Sequence, residues 1–194
     1  MARIAVIGAG HIGGTLGDTW RRAGHQVTFG VRDPEGRQEE GRRFVSPRDA
    51  VRGADVVLFA VPGPAMDAAV GALESDLAGK IVIDASNRVG AAKVRSGACE
   101  DIASEATPVF RAFNSLGWEN FANPRYGDEV ADLFYAGPDT AARQTVERLI
   151  ADVGLRPIYV GPDADLVDGV LRLWFALAGG RRMGRNIAFK VLTR

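Results

Sequence analysis

The chain has 194 residues, 24 basic and 24 acidic side chains, one cysteine and 46% apolar residues. A formal charge of zero excludes a dedicated nucleic-acid binder, which needs a basic excess to displace counterions. The lone Cys99 excludes a disulfide framework and a cysteine zinc cluster. The apolar run Val56 to Val61, which no other exceeds, is strand-sized and far short of the roughly 20 residues of a membrane-spanning helix. Arg3 leads directly into a strand, which is not the pattern of a signal peptide. The expectation is therefore a cytoplasmic protein with neither membrane nor nucleic acid among its partners. Arginine outnumbers lysine 21 to 3, so a catalytic lysine has only Lys80, Lys93 and Lys190 to draw on.

Taken in order, Arg3 to Ile7 alternates and ends in glycine, as a strand does. From Ile12, the apolar residues Leu16, Trp20 and Ala23 keep a helical spacing that Gly24 closes. Gln26 to Val31 is the next strand. Asp33 to Arg43 is polar, holds Pro34, Gly36 and Gly41, and reads as a surface loop. Phe44 and Val45 form a short strand, and Ser46-Pro47 has the cap and first-turn character of a helix through Val51. Asp55 to Val61 is almost wholly apolar, as expected of a central strand buried on both faces. Pro62 stops it. A helix from about Pro64 to Leu77 and a strand Ile81 to Asp84 follow, then a short helix Glu100 to Glu105 and a strand Val109 to Phe113. Ala131 to Ala136 is strand-like, Thr140 to Asp152 helical, and Leu155 to Val160 a strand. The tail from Ala164 to Leu192 reads as helical with a break at Gly179 and Gly180.

Alternating strands and helices predict an α/β, doubly wound, mostly parallel sheet of Rossmann type. With no repeat or linker dividing the chain, residues 1–194 are expected to form one domain, with the C-terminal helices of about 164–192 packed on it as a small appendage.

Gly8-Ala9-Gly10-His11-Ile12-Gly13 matches G-x-G-x-x-G between a predicted strand and a predicted helix, with a second strand about a dozen residues on. Each glycine has a physical reason there: a tight turn at Gly8, close approach of backbone to a pyrophosphate at Gly10, and close packing of helix on sheet at Gly13. The amides at the helix start then face the phosphates. His11 lies within the loop and is a contact candidate, with no carboxylate partner evident for catalysis. The residue past the second strand bears on which dinucleotide is bound. NAD recognition rests on an acid at the strand end. Here the order is Phe29-Gly30-Val31-Arg32-Asp33-Pro34, with Arg32 at the turn and the acid late. A guanidinium suits a 2′-phosphate and stacks on adenine, and Arg37 lies in the same loop, so NADP(H) is the expected cofactor.

The N-terminal run Ala2 to Gly13 and the stretch Phe29 to Pro34 resemble the NADPH-dependent reductases of the deazaflavin coenzyme F-420 (F420) and their dinucleotide-binding relatives. Phe59-Ala60-Val61-Pro62, Phe121-Ala122-Asn123 and the ending Met183 to Leu192 agree with the same family. The resemblance implies a Rossmann domain with small C-terminal helices, a homodimer, NADP(H) across the strand ends and a deazaflavin stacked on its nicotinamide. By position it assigns the pyrophosphate to Gly8 to Gly13 and the 2′-phosphate to Arg32. Ala60, Val61 and Pro62 are assigned to the border of the nicotinamide ribose, with Ala85, Ser86 and Asn87 flanking the same pocket. Two departures stand out. Asn114, with Ser115 and Trp118 nearby, occupies the place of a histidine beside the deazaflavin, and Val31 replaces a hydroxyl residue near the 2′-phosphate.

Hydride transfer between stacked rings needs positioning and exclusion of water, not a proton-transfer side chain. That agrees with a sequence offering no Ser/His/Asp set and no metal cluster. Trp174, spaced helically with Val170 and Leu177, reads as core, and Arg181, Arg182 and Arg185 as a basic face able to attract an anionic acceptor. Competing readings are a reductase of another flavin or of a metal chelate, and a non-catalytic NADP-binding module that senses redox state. The hydroxyacid dehydrogenases and pyrroline-carboxylate reductases begin similarly, but need a larger helical domain than this length allows.

Overall fold

The structure, a computed structural model, describes residues 1–90, 94, 95 and 97–194; Lys93 lies outside them. Among the described residues no helix is long and apolar enough to cross a membrane. The chain forms two compact units, residues 1–109 and 110–194.

The first unit opens with β1 (Arg3–Ile7), α1 (His11–Arg22), β2 (Gln26–Gly30), β3 (Phe44–Val45), α2 (Pro47–Arg52) and β4 (Val56–Phe59). It continues through α3 (Met66–Gly71), β5 (Ile81–Asp84) and α4 (Ala98–Asp101) to β6 (Val109–Arg111), which straddles the boundary. The sheet order is β3-β2-β1-β4-β5-β6, and the pairs β1–β2, β1–β4, β2–β3 and β4–β5 are all parallel. Chain order therefore reverses direction at β1, with β2 on one side and β4 on the other, which makes the β1/β4 border the topological switch point. The register sets Ile4 beside both Val27 and Val56, and Val6 beside Phe29 and Leu58. All four residues of β4 are buried, as its unbroken apolar run requires of a strand covered on both faces.

One face of this sheet packs Ile7, Val57, Phe59 and Val82 against Ala50 and Val51 of α2 and Met66 and Val70 of α3. Each such large side chain contributes roughly 1.5–3 kcal/mol by leaving water. Two glycines permit the close layers. A Cβ on Gly30 would sit 2.8 Å from Ile7 Cδ1 and 2.9 Å from Pro47 Cα, and one on Gly17 would collide with the Phe29 ring. Helix α2 starts as expected: Ser46 accepts a hydrogen bond from the Asp49 amide at 3.2 Å, with Pro47 in the first turn.

Elements differ from expectation where the chain tightens. The single helix expected from Pro64 to Leu77 is a 3-10 turn Gly63–Ala65, then α3, then a 3-10 turn Glu74–Asp76. The Leu73 amide bonds three residues back to Val70 at 3.0 Å, so the backbone winds tighter while Met66, Val70, Leu73 and Leu77 still reach the core. The strand expected to run to Phe113 stops at Arg111, because Phe113 adopts a left-handed backbone with φ of 64°.

The second unit carries α5 (Glu119–Ala122), the antiparallel pair β7 (Arg125–Tyr126) and β8 (Glu129–Val130), then β9 (Asp132–Tyr135), α6 (Ala142–Asp152), β10 (Arg156–Tyr159) and α7 (Ala164–Phe175). Strands β9 and β10 are parallel, with α6 as their crossover. The Arg111 amide donates to the Ala136 carbonyl at 2.8 Å and the Ala136 amide to that of Arg111 at 3.0 Å. Beneath them Arg111 pairs with Asp168 of α7 at 3.0 Å, both buried. The tail is helical only through a π turn at Ala176–Gly180. Beyond it, Arg182 and Gly184 take positive φ (57° and 80°), and Phe189 pairs with Asp132 in an antiparallel bridge. The apolar residues read as a final helix instead cover β9 as extended chain.

Candidate functional site

The site is built on three turns at the carboxyl ends of β1, β4 and β5. Gly8 takes φ of +100°, and a Cβ there would lie 2.7 Å from the Ala60 carbonyl oxygen and 3.0 Å from Val61 Cγ1. A Cβ on Gly13 would overlap the Gly8 carbonyl and stand 3.2 Å from the Ala60 Cβ. The turn after β1 and the turn after β4 are thus pressed together backbone to backbone at the switch point. Gly10 is the opposite case: no described atom lies within 4 Å of the Cβ it lacks. Gly10 also caps α1 without any side-chain hydrogen bond, and the first turn of that helix holds no acidic residue. An uncapped helix start with an open glycine before it accepts an anion. His11 is exposed and Ile12 half-buried beside it.

Past β2, Val31 is buried and its amide donates to Val45 at 3.0 Å, so it supports the turn from within. Arg32 is exposed. Asp33 is committed to its own loop, where its Oδ1 accepts from the Gly36 amide at 3.3 Å. Arg37 lies over the Phe44 ring, 5.9 Å from its centroid. The loop carrying both arginines is anchored to α1 by Arg42, which reaches Asp18 at 2.9 and 2.5 Å and lies over Phe29. Arg42, acting first through its hydrogen bond, holds the Asp18 carboxyl below the usual carboxylate range. Nothing in the composition singled out that clamp.

Ala60 and Val61 are half-buried and Pro62 exposed, ahead of the Gly63 turn. After β5, Ala85 and Ser86 are buried and Asn87 half-buried. Asp84, itself buried, accepts from the Ser86 amide at 2.8 Å and from its hydroxyl at 2.7 Å, which folds the turn. From the sequence alone Asp84 marks only the end of a strand.

Asn114, Ser115 and Trp118 belong to the second unit. Asn114 and Ser115 are buried directly after Phe113, whose ring meets Phe121 edge-on at 5.7 Å. Trp118 is half-buried at the start of α5. In the same unit Arg185 is spoken for: its Nε reaches Glu119 at 2.6 Å and its guanidinium lies over Trp174 at 5.5 Å. Trp174 is buried as expected, yet it shares its face with Val167 and Leu171, while Val170 and Leu177 are only half-buried.

A parallel sheet in this order, a glycine turn pressed on the β4 turn and an uncapped helix start define a dinucleotide-binding fold of Rossmann type. Residues 3–88 match the family described as NADP oxidoreductase, coenzyme F420-dependent. The chain is similar over its whole length to a protein of Arthrobacter sp. FB24 provisionally described as an F420-dependent NADP reductase. That likeness has 25% identity and a TM-score of 0.85, and covers 100% of both chains. A hypothetical protein of Sinorhizobium meliloti is 31% identical over 84% of this chain and 86% of its own, with a TM-score of 0.69. An NAD(P)+ glycerol-3-phosphate dehydrogenase of Chlorobium phaeobacteroides is 26% identical over 99% of this chain, which spans 65% of that enzyme's length. The family match ends at residue 88, so it takes in the glycine turn, Arg32, Arg37 and the turns after β4 and β5, but not Asn114, Ser115 or Trp118.

Proposed function

We propose that the protein is an NADP(H)-dependent oxidoreductase that passes hydride between NADP(H) and a deazaflavin acceptor of the F-420 type. The observation that carries it is the switch point. Gly8 and Gly13 admit no side chain against Ala60, Gly10 stands open before an uncapped helix, and an exposed arginine follows β2. The donor set fits a phosphorylated dinucleotide: helix amides for pyrophosphate, and Arg32 with Arg37 for the 2′-phosphate. Asp33, the residue that would favour an unphosphorylated ribose, is held by its own loop.

When bound, NADPH supplies the hydride at its nicotinamide ring. The chain's own part is to orient and to shield. Ala60 to Pro62 and Ala85 to Asn87 flank the nicotinamide ribose, and the buried, hydrogen-bonded turn at Asp84 and Ser86 keeps that wall rigid. We assign Asn114, Ser115 and Trp118 to the acceptor. The deazaflavin itself is favoured by the family match and by the whole-length likeness to the Arthrobacter protein. We further infer a cytoplasmic homodimer.

The test is one titration. Wild-type protein and Arg32→Ala are mixed with NADPH or NADH, and the nicotinamide absorbance is followed with F-420, flavin mononucleotide or a ferric chelate as acceptor. Turnover is expected with NADPH and F-420, and Arg32→Ala is expected to weaken NADPH by about 10- to 100-fold while sparing NADH. Equal losses for the two coenzymes overturn the assignment of Arg32. Tight NADPH binding without turnover on any acceptor makes the protein a binding module instead.

A further inference from the structure

The wall formed by the turn after β5 is held from two sides. On the inner side Asp84 gathers the amide and the hydroxyl of Ser86. On the outer side stands Arg88, which no motif had marked. Its Nε donates to the Gly63 carbonyl at 3.2 Å, its Nη2 pairs with Asp67 of α3, and its amide donates to the Val94 carbonyl at 2.7 Å. One side chain thus ties the turn after β5 to the turn after β4 and to the helix that follows it.

The two turns are in direct contact at the tie. A Cβ on Gly63 would lie 2.5 Å from the Asn87 carbonyl oxygen and 2.6 Å from Arg88 Cγ. Close-packed backbone transmits displacement instead of absorbing it, so Ala60 to Pro62 and Ala85 to Asn87 move together or not at all. A guanidinium suits this place because its fork meets a carbonyl and a carboxylate at once, whereas an ammonium offers a compact point charge. Arg88 stands two residues beyond Ser86, on the flank of the wall instead of its lining.

We propose that Arg88 is a positioning residue for the nicotinamide half of the cofactor, setting the separation of the turns after β4 and β5. The inference rests on the reading of the switch point as the NADP(H) site. The adenosine half is assigned to other groups, the β1–α1 turn and the loop of Arg32 and Arg37, which Arg42 anchors separately through Asp18. Loss of Arg88 therefore affects one end of the ligand and not the other.

The experiment compares dissociation constants for NADPH and for 2′,5′-ADP, which lacks the nicotinamide half, by calorimetry on the full chain. Wild type, Arg88→Ala, Arg88→Lys and Asp67→Asn are measured, with thermal midpoints recorded for each. Arg88→Ala is expected to weaken NADPH by about tenfold and to leave 2′,5′-ADP within about twofold of wild type. Arg88→Lys and Asp67→Asn, which each keep part of the tie, are expected to fall between. Parallel weakening of both ligands, or no change in either, overturns the inference. Should Arg88→Ala fail to fold, the two milder variants decide it by the same split. A wild-type protein that takes up neither ligand overturns the site reading, and this inference with it.

Discussion

Gly10 and Gly13 lie three residues apart in one turn and answer to different demands. Gly13 is held by the protein itself: a Cβ there would overlap the Gly8 carbonyl and crowd Val6. Gly10 has extended backbone, φ −78° and ψ −165°, which alanine adopts without strain, and no described atom within 4 Å of its missing Cβ. Alanine at the two positions should therefore separate folding from binding. Gly13→Ala is expected to cost about 3 kcal/mol or more through overpacking against backbone that cannot yield. Gly10→Ala is expected to keep its thermal midpoint within about 2 °C of wild type and to bind NADPH at least about tenfold more weakly, because the added methyl stands where pyrophosphate must approach. Thermal unfolding and calorimetry on both variants check this. A Gly10→Ala protein that binds as wild type removes the pyrophosphate from that turn.

At the scale of elements, the irregular C-terminal tail is held by a cluster of charged groups around a buried carboxylate. Asp132, fully buried at the start of β9, receives Arg156 at 2.6 and 2.7 Å and the Val191 amide at 2.6 Å, and Arg156 also donates to the Val191 carbonyl at 2.6 Å. Lys190 reaches the Val130 carbonyl at 2.8 Å alongside. Burial alone would raise the Asp132 carboxyl; the Arg156 guanidinium and the Val191 amide together outweigh it and hold the group below its ordinary value. A carboxyl depressed in the folded state contributes stability that is full above its unfolded pKa, about 3.9, and is lost as pH falls through the folded value. The wild-type thermal midpoint should then stay nearly level with respect to this group from neutral pH to about 5, and its contribution should begin to fall near about 4 and be lost only as pH drops through the folded value. Asp132→Asn should sit about 5 °C lower at pH 7 and show a shallower acid decline; an unchanged acid limb would remove Asp132 as its source.

The same segment explains what could be read in advance and what could not. The β1–glycine turn–α1 unit, β4 and the cap at Ser46 were legible because backbone need and residue type coincide there: glycine where no Cβ fits, an apolar run where both faces are covered, serine before proline. The hairpin of β7 and β8 was not, since strands of two residues carry no periodicity. Nor was the tail, whose apolar residues suit a helix or an extended cover for β9 equally well, with long-range pairing to Asp132 deciding between them. Among the candidate residues, the exposed position of Arg32 was legible from its place after a strand. Arg88 and the Arg42 clamp depend on partners 21 and 24 residues away and leave no local sign.

For the whole molecule, α7 bears on assembly. Its inner face buries Val167, Leu171 and Trp174. A second stripe, Leu166, Val170, Leu173 and Leu177, follows at spacings of four, three and four, with Leu166 and Leu173 each 51% exposed. This stripe lies next to the buried face and widens it toward solvent, as suits a helix that a further surface covers, and its spacing is that of a seam between helices. Four partly exposed side chains fall short of the roughly 800 Å² per partner that a stable interface buries, so neighbouring surface has to join them. Met183 is 59% exposed, and its amide donates to the Leu177 carbonyl at 3.2 Å, which puts the start of the tail at the end of the stripe. We propose a second copy of the chain meeting stripe to stripe, since an isologous contact doubles whatever apolar surface one copy presents. Light scattering on the eluting protein is expected to give twice the chain mass for wild type and the single-chain mass for Leu173→Glu, with unchanged circular dichroism because Leu173 lies outside the core. A wild-type protein that remains monomeric at tens of micromolar, or a Leu173→Glu dimer, would remove this face from the assembly and with it the reason for the helix's second stripe.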